Sequence, residues 1–129
     1  MDCDWPPVCD WRAEKAYSAL TNAVKNIERQ NPDLQDGFIR WDKNKHLQNI
    51  KNSGYFRYAR ELVFANTESC GAGRLIGIAM SQGSLQGVLK NKPNLIEEDL
   101  KMFNDTIHAL FGDKKFEADF GYRMRIGIK

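Results

Sequence analysis

The sequence predicts one α+β domain in which an antiparallel pair of strands packs with four to five helices. Several segments carry apolar residues at helical spacing, begin at capping residues and end at glycine or proline. Two other segments, residues 55–65 and 115–128, have the composition or the alternation typical of strands. A length of 129 residues with 42% hydrophobic content fits a single domain, and no repeat or low-complexity linker divides it.

Charge and cysteine content narrow the class of protein. The 19 Lys and Arg residues and 17 Asp and Glu residues leave a net charge of +2, so we expect neither a nucleic-acid nor a membrane partner. No apolar run reaches the ~20 residues that span a bilayer, and the N-terminus lacks the pattern of a secretory signal. Cys3, Cys9 and Cys70 lack CxxC spacing, which favours reduced thiols in a cytoplasmic protein without a bound metal. A Cys3–Cys9 disulfide is the alternative.

The first half of the chain predicts two helices. Asp10 is a suitable N-cap for an amphipathic helix of about five turns, which Pro32 ends because the residue before a proline avoids helical geometry. Asp42 can cap a short second helix, and Gly54 suits the left-handed residue that ends it.

The middle of the chain predicts a strand and two short helices. Residues 55–65, YFRYARELVFA, are rich in aromatic and β-branched residues and form the strand. Residues 66–70 are expected to connect it to a helix that starts in the stretch SCGAGRLIG, and a second short helix follows.

The last third predicts a long helix and a long strand. Asn94 and Glu97 have the spacing of a capping box, and Gly112 ends the helix. The segment KFEADFGYRMRIGIK alternates throughout, so we expect a strand with one buried face. The opposite face carries charges that suit cross-strand ion pairs: Glu117, Asp119, Arg123 and Arg125.

The glycine-rich stretch SCGAGRLIG does not have the spacing of a nucleotide-binding loop. A dinucleotide fingerprint needs G-x-G-x-x-G, whereas the third glycine here, Gly77, falls one position late, and no Gly-Lys-Ser/Thr is present. Gly73 and Gly77, like Gly83 and Gly87, are four residues apart and share a helix face. We expect these glycines to permit close packing, with direct ligand contact as the alternative.

Four segments occur in an order that a known family shares: the strand YFRYARELVF, the helices in RLIGIAMSQGSLQGVLK, the helix ending HALFG and the closing YRMRIGIK. In this order the chain resembles the C-terminal, substrate-side part of class I S-adenosylmethionine-dependent methyltransferases of the small-molecule "type 11" kind. The opening DCDWPP resembles the exit of that family's fifth strand. The resemblance covers nearly the whole chain and implies a partial Rossmann-like methyltransferase fold.

The family's cofactor loop, acidic-Gly-x-Gly-x-Gly, has no counterpart in this sequence. The resemblance therefore implies that this chain alone binds no cofactor, S-adenosylmethionine being the cofactor of the family. We expect a non-catalytic methyltransferase-related domain that binds a small molecule or a protein partner. The alternatives are the substrate-side subunit of a split methyltransferase, with a separate cofactor-binding chain, and a plain homo-oligomeric interaction module.

The candidate site residues belong to a substrate pocket, and we expect none that is catalytic. Trp5, beside two prolines, can wall a pocket at the end of a strand. Arg40, Trp41 and His46 can bind an anionic or aromatic ligand by charge and stacking, or form a solvated basic face.

Two further candidates, Ser81 and Gln82, lie at the predicted break between the two short helices. Both can form hydrogen bonds to a substrate, although a turn or a helix cap equally accounts for the serine. Metal ligands are not expected at either position.

The final strand also predicts an assembly. In the family that the chain resembles, this strand is paired on both sides, whereas here the fifth strand is nearly absent. One edge of residues 115–128 should therefore lack a partner, and open strand edges pair readily with other chains. We expect a homodimer, formed through the final strand or through its exposed face.

Overall fold

The computed structural model describes residues 7, 9–35 and 42–129. Within these residues the chain forms five α-helices and a two-stranded antiparallel sheet, which confirms the predicted α+β class. The elements are α1 (Trp11–Gln30), α2 (His46–Asn52), β1 (Tyr58–Cys70), α3 (Ala72–Met80), α4 (Gly83–Asn91), α5 (Glu97–Phe111) and β2 (Phe116–Ile128). Short 3-10 turns occupy Pro32–Gln35, Lys43–Lys45 and Pro93–Leu95.

Helix α1 has the start and end that the sequence predicts. The Asp10 carboxylate accepts a hydrogen bond from the Arg12 amide at 2.8 Å and pairs with the Arg12 guanidinium at 3.0 Å. At the other end the Asn31 amide donates to the Ile27 carbonyl at 2.9 Å, after which a 3-10 turn begins. One stripe of the helix is buried: Ala13, Tyr17, Leu20, Val24 and Ile27.

The core lies between the helices and the first part of β2. Tyr17 of α1 meets Phe103 of α5 edge to face, with ring centroids 6.1 Å apart. Phe111 of α5 meets Phe116 of β2 in the same way at 4.9 Å. Six of the seven largest fully buried side chains among the described residues come from the helical part: Leu75, Leu85, Val88, Ile96, Ile107 and Phe111.

The two strands pair along their full length, from Tyr58 opposite Ile128 to Cys70 opposite Phe116. The final strand is confirmed, but the predicted bounds of the first strand, residues 55–65, are wrong. Residues 66–70, expected as a connection, are extended because each lies opposite a residue of β2 and shares its ladder.

The capping box predicted at Asn94 and Glu97 does not form. Asn94 lies in a 3-10 turn, and α5 begins at Glu97 with no side-chain cap at Ile96. The Ile96 amide donates to the Pro93 carbonyl at 3.1 Å and its side chain is fully buried, so the turn and the burial of Ile96 set the helix start. Gly112, with φ of 52°, ends the helix as predicted.

Close packing at glycine occurs at a position other than the predicted ones. A Cβ atom added at Gly73, Gly77, Gly83 or Gly87 would meet nothing within 4 Å, so the expectation of close packing there is wrong. A Cβ atom at Gly127 would lie 2.7 Å from a ring carbon of Phe56. The Phe56 ring therefore rests on the β2 backbone and fixes the segment that follows α2.

We expect Gly127→Ala to lower the free energy of unfolding by about 1–3 kcal/mol, because the new methyl group displaces the Phe56 ring. Gly73→Ala, in open space within α3, is the matched control and should raise stability by up to about 1 kcal/mol. Urea denaturation of both variants measures the two changes. An unchanged stability for Gly127→Ala would contradict the close contact.

Stability should also depend on pH through Asp10. Hydrogen bonds from the Arg12 side chain and amide hold the pKa of the Asp10 carboxyl at about 2, below its ordinary value of 3.8. Because the pKa is lower in the folded chain, the charged carboxylate stabilises the fold above pH ~4 and this contribution is lost as the pH falls through ~2. Asp10→Asn keeps a capping oxygen but removes the charge. Urea denaturation should show that Asp10→Asn is less stable than the natural chain at pH 4 and that this difference shrinks as the pH falls to 2. A difference that stays constant would contradict the lowered pKa of Asp10.

Candidate functional site

The paired strands form a long ribbon whose two faces differ, because side chains alternate along each strand. In the observed register, even-numbered residues of β1 lie opposite even-numbered residues of β2. We call this side of the ribbon the even face and the other side the odd face.

Helices α3 and α5 cover the even face at one end of the ribbon. The Arg74 guanidinium of α3 lies 5.8 Å from the Phe120 ring centroid and pairs with Glu68 at 3.0 Å. Phe111 of α5 contacts Phe116. Ala118 and Phe120 are consequently buried at this end.

Helix α2 and the turn before it lie against the odd face at the other end. The Arg125 guanidinium donates to the Lys43 carbonyl at 3.0 Å, and the Arg123 guanidinium donates to the Asn44 side chain at 3.3 Å. The contact between Phe56 and Gly127 lies on the same face. The described helices thus cover opposite faces at opposite ends.

This arrangement leaves apolar side chains of the even face partly or largely exposed at the α2 end. Phe64 is 40% exposed and stacks on Tyr122 with ring centroids 5.4 Å apart, while Tyr58 and Ile128 are 48% and 45% exposed. The expected burial of one whole face of β2 is therefore wrong beyond Phe120, because the helices end before the strand does. We call this surface the apolar strip: Tyr58, Leu62, Phe64, Tyr122, Met124, Ile126 and Ile128. The exposed Arg60 lies on the same face, opposite Ile126.

The odd face is charged, and its charges are unevenly distributed. Glu61 of β1 pairs with Arg125 at 2.9 Å and lies 4.0 Å from Arg123, so cross-strand ion pairs form as expected but with a different carboxylate. Glu117 and Asp119 lie at the other end, where Thr67 donates a hydrogen bond to Asp119. Along the odd face of β2, the two acidic residues thus lie at one end, and the two arginines, paired with Glu61, lie at the other.

Three of the predicted pocket residues lie outside the described residues: Trp5, Arg40 and Trp41. Most of the stretch DCDWPP also lies outside them, whereas His46 is described. His46 begins α2 and is half-buried. It borders an open groove of about 520 Å³ between α2 and the odd face. The other lining residues are Asn49, Ile50, Ser53, Tyr55, Phe56 and Arg125.

Ser81 and Gln82 do not line this groove. The Ser81 hydroxyl donates to the Ile78 carbonyl at 2.7 Å, which is the role of a turn residue. The Gln82 side chain donates to the Tyr17 hydroxyl at 3.4 Å and joins α1 to the start of α4. These contacts within the chain account for both side chains.

Cys9 and Cys70 are free thiols, and burial raises the pKa of each. Cys3 lies outside the described residues. In the described ranges, no group of three or more His, Cys, Asp or Glu side chains is placed to hold a metal ion. None of the helices described here is both long and apolar enough to cross a membrane.

Glu61→Gln tests the ion pairs of the odd face. The Arg125 side chain is 7% exposed, so loss of the carboxylate beside it should lower the free energy of unfolding by about 1.5–3 kcal/mol. Glu68→Gln removes the same kind of pair beside the exposed Arg74 and should cost less than about 1 kcal/mol. Thermal and urea denaturation compare the two variants, and equal losses would contradict a special role for Glu61.

Comparisons of the chain with protein-family models, with curated proteins and with solved structures found no match. The relationship to methyltransferases therefore stays a prediction from the sequence, while the strand pair and helices stand on the structure alone.

Proposed function

We propose that this chain is an interaction module that assembles with a second copy of itself through its ribbon. The observation that carries the proposal is the apolar strip, in which aromatic and aliphatic side chains continue from the core onto an exposed surface. Exposed apolar surface of this kind marks interaction sites in soluble proteins. Its burial is favourable by roughly 25 cal/mol per Å².

The shape of the strip favours a protein surface over a small ligand. Small-molecule sites are concave, whereas the strip follows one face of an extended two-stranded ribbon. Both strands are 13 residues long, and within the described part of the chain each has one edge without a neighbouring strand. The β1–β2 register runs through β2 without a bulge, and β2 contains no proline, so two features that commonly protect an edge are missing.

A second copy of this chain can pack against the apolar strip without any additional charged or polar recognition group, because a two-fold interface places the same surface on both sides. An apolar surface is complementary to itself. Two other partners are possible in principle: a methyltransferase relative that holds the cofactor, and a small molecule bound in the groove beside His46. The measurement below distinguishes binding of either from self-association.

Sedimentation equilibrium of the full chain, from about 1 μM to about 100 μM, tests the proposal. We expect the average mass to rise from that of the 14.8 kDa chain toward twice that value. A purely monomeric mass at ~100 μM would refute self-association and leave the strip to a different partner.

Met124→Gln tests whether the apolar strip is buried in the dimer. Met124 lies opposite Leu62 at the centre of the strip, and glutamine keeps its size while adding a polar group that burial leaves unsatisfied. We expect the dimer dissociation constant to rise about tenfold or more. Val63→Gln is the matched control because Val63 is 63% exposed on the odd face, and it should leave the constant unchanged. Equal effects of the two variants would contradict burial of the strip.

A further inference from the structure

The first turn of α1 lies near the end of α5 because the two helices run antiparallel. The Lys92 ammonium, which precedes α5, donates to the Asn31 side chain at 2.8 Å and pairs with Asp33 at 2.8 Å. Both of these partners closely follow α1, which ends at Gln30, whereas α5 begins at Glu97. The end of α1 is therefore near the start of α5.

Cys9 lies where the opposite ends of these helices meet. Near the middle of the helices, the rings of Tyr17 and Phe103 are in contact. From this contact the chain runs eight residues back to Cys9, just ahead of α1, and eight residues forward to Phe111 at the end of α5. Cys9 is half-buried and packs against the core to which Phe111 belongs. It is consequently placed at the end of α5 that carries Phe111.

Cys70 reaches the same end of α5 from the ribbon. The Phe111 ring meets the Phe116 ring edge to face at 4.9 Å, and Phe116 lies opposite Cys70 in the β1–β2 ladder. Cys70 is the last residue of β1 and is fully buried. Two cysteines from distant parts of the chain thus lie beside the end of α5, one ahead of α1 and the other at the end of β1.

The electrostatics of the two thiols agree with this placement. Burial raises the pKa of the Cys9 thiol, and repulsion from the Cys70 thiolate raises it further. Repulsion of this kind shifts a pKa only when the two groups are close to one another. Cys9 and Cys70 are therefore neighbours within the core and not merely members of it.

The two thiols differ in their access to solvent. Cys9 is half-buried, so a small oxidant can reach its sulfur, whereas Cys70 has no exposed surface. Because burial raises the pKa of both thiols, few of them are ionised at neutral pH and oxidation is slow. An accessible thiol that is oxidised first, beside a second thiol that can attack it, is the arrangement from which a disulfide forms.

We propose that Cys9 and Cys70 form a disulfide when the folded chain meets a peroxide, with Cys9 as the thiol that reacts first. The Cys9 thiolate attacks one oxygen of hydrogen peroxide. An S–O bond forms, the O–O bond breaks, and the hydroxide that leaves takes up the thiol proton to become water. The Cys70 sulfur then attacks the Cys9 sulfur, so that the S–S bond forms as the S–O bond breaks. The second hydroxide leaves with the Cys70 proton as water, and one peroxide has oxidised two thiols.

This disulfide joins the helical part of the chain to the ribbon. It links the residue before the Asp10 cap to the last residue of β1 and closes a loop that contains α1, α2 and β1. A cross-link stabilises a fold mainly by restricting the unfolded chain, and more so for a long loop. The proposal concerns a modification site separate from the apolar strip and does not depend on self-association.

Peroxide treatment of the folded Cys3→Ser variant tests the proposal. Trypsin releases Cys9 in the peptide of residues 1–12 and Cys70 in the peptide of residues 61–74, and in this variant each peptide carries one cysteine. We expect both thiols to be lost and the two peptides to be joined, with a mass two hydrogens below their sum. A reductant should release them. Isolating the monomer by denaturing, non-reducing gel filtration limits the mapping to bonds within one chain.

Cys9→Ser is the matched control because it differs only in which cysteine of the first peptide is kept. It should retain both of its thiols under the same treatment. A second control oxidises the natural chain in concentrated urea, where the short loop between Cys3 and Cys9 closes at the lowest entropic cost. We expect the bond in urea to lie within residues 1–12, and the bond in the folded chain to join residues 1–12 to residues 61–74.

Three results would overturn the proposal. A folded Cys3→Ser chain that keeps both thiols shows that the two sulfurs do not meet. Oxidation of Cys9 that ends at the sulfinic or sulfonic acid shows that Cys70 does not attack it. Cross-linking of Cys9→Ser to the same extent shows that the bond does not depend on Cys9. Circular dichroism before treatment verifies that both variants are folded, and sedimentation equilibrium tests the proposed function separately.

Discussion

The ladder between β1 and β2 is the constraint on which the rest of the structure depends. The strands are far apart in sequence, with α3, α4 and α5 between them, so their pairing closes the helical part of the chain into one unit. An isolated two-stranded sheet is marginally stable in water and needs packing on a face. Here the packing comes from α3 and α5 on the even face and from α2 on the odd face.

The lengths of these elements explain the exposed surface. A strand of 13 residues spans about 43 Å, whereas a helix of nine residues such as α3 spans about 14 Å and one of 15 residues such as α5 about 22 Å. Helices of this size cannot cover the whole ribbon. The even face is buried at Ala118 and Phe120 and is left to solvent at Phe64 and Ile128. The apolar strip is thus a geometric consequence of two strands that are longer than the helices packed against them.

The elements that could be predicted from the sequence are those whose bounds are set by residues close to them in the chain. Helix α1 has a cap at Asp10 and a stop at Pro32, and β2 alternates without interruption, so both were predicted almost to the residue. The end of β1 carries no apolar alternation in residues 66–70, and only its partner strand makes it extended.

The site was harder to predict for a related reason. Alternation identifies a face but does not say which part of that face a helix covers, so Phe120 and Phe64 look alike in the sequence and differ in burial. Close approach at Gly127 depends on Phe56, which comes from a distant segment, and no spacing of glycines signals it. The candidates Trp5, Arg40 and Trp41 stay predictions.

A long strand edge beside an apolar face is ordinarily an aggregation hazard, because any other edge can pair with it. Charged side chains along a strand disfavour indiscriminate edge pairing, and β2 carries four of them on its odd face: Glu117, Asp119, Arg123 and Arg125. In the self-association that we propose, a two-fold axis uses the same surface of both copies, so the contact closes on itself and does not propagate into a fibre.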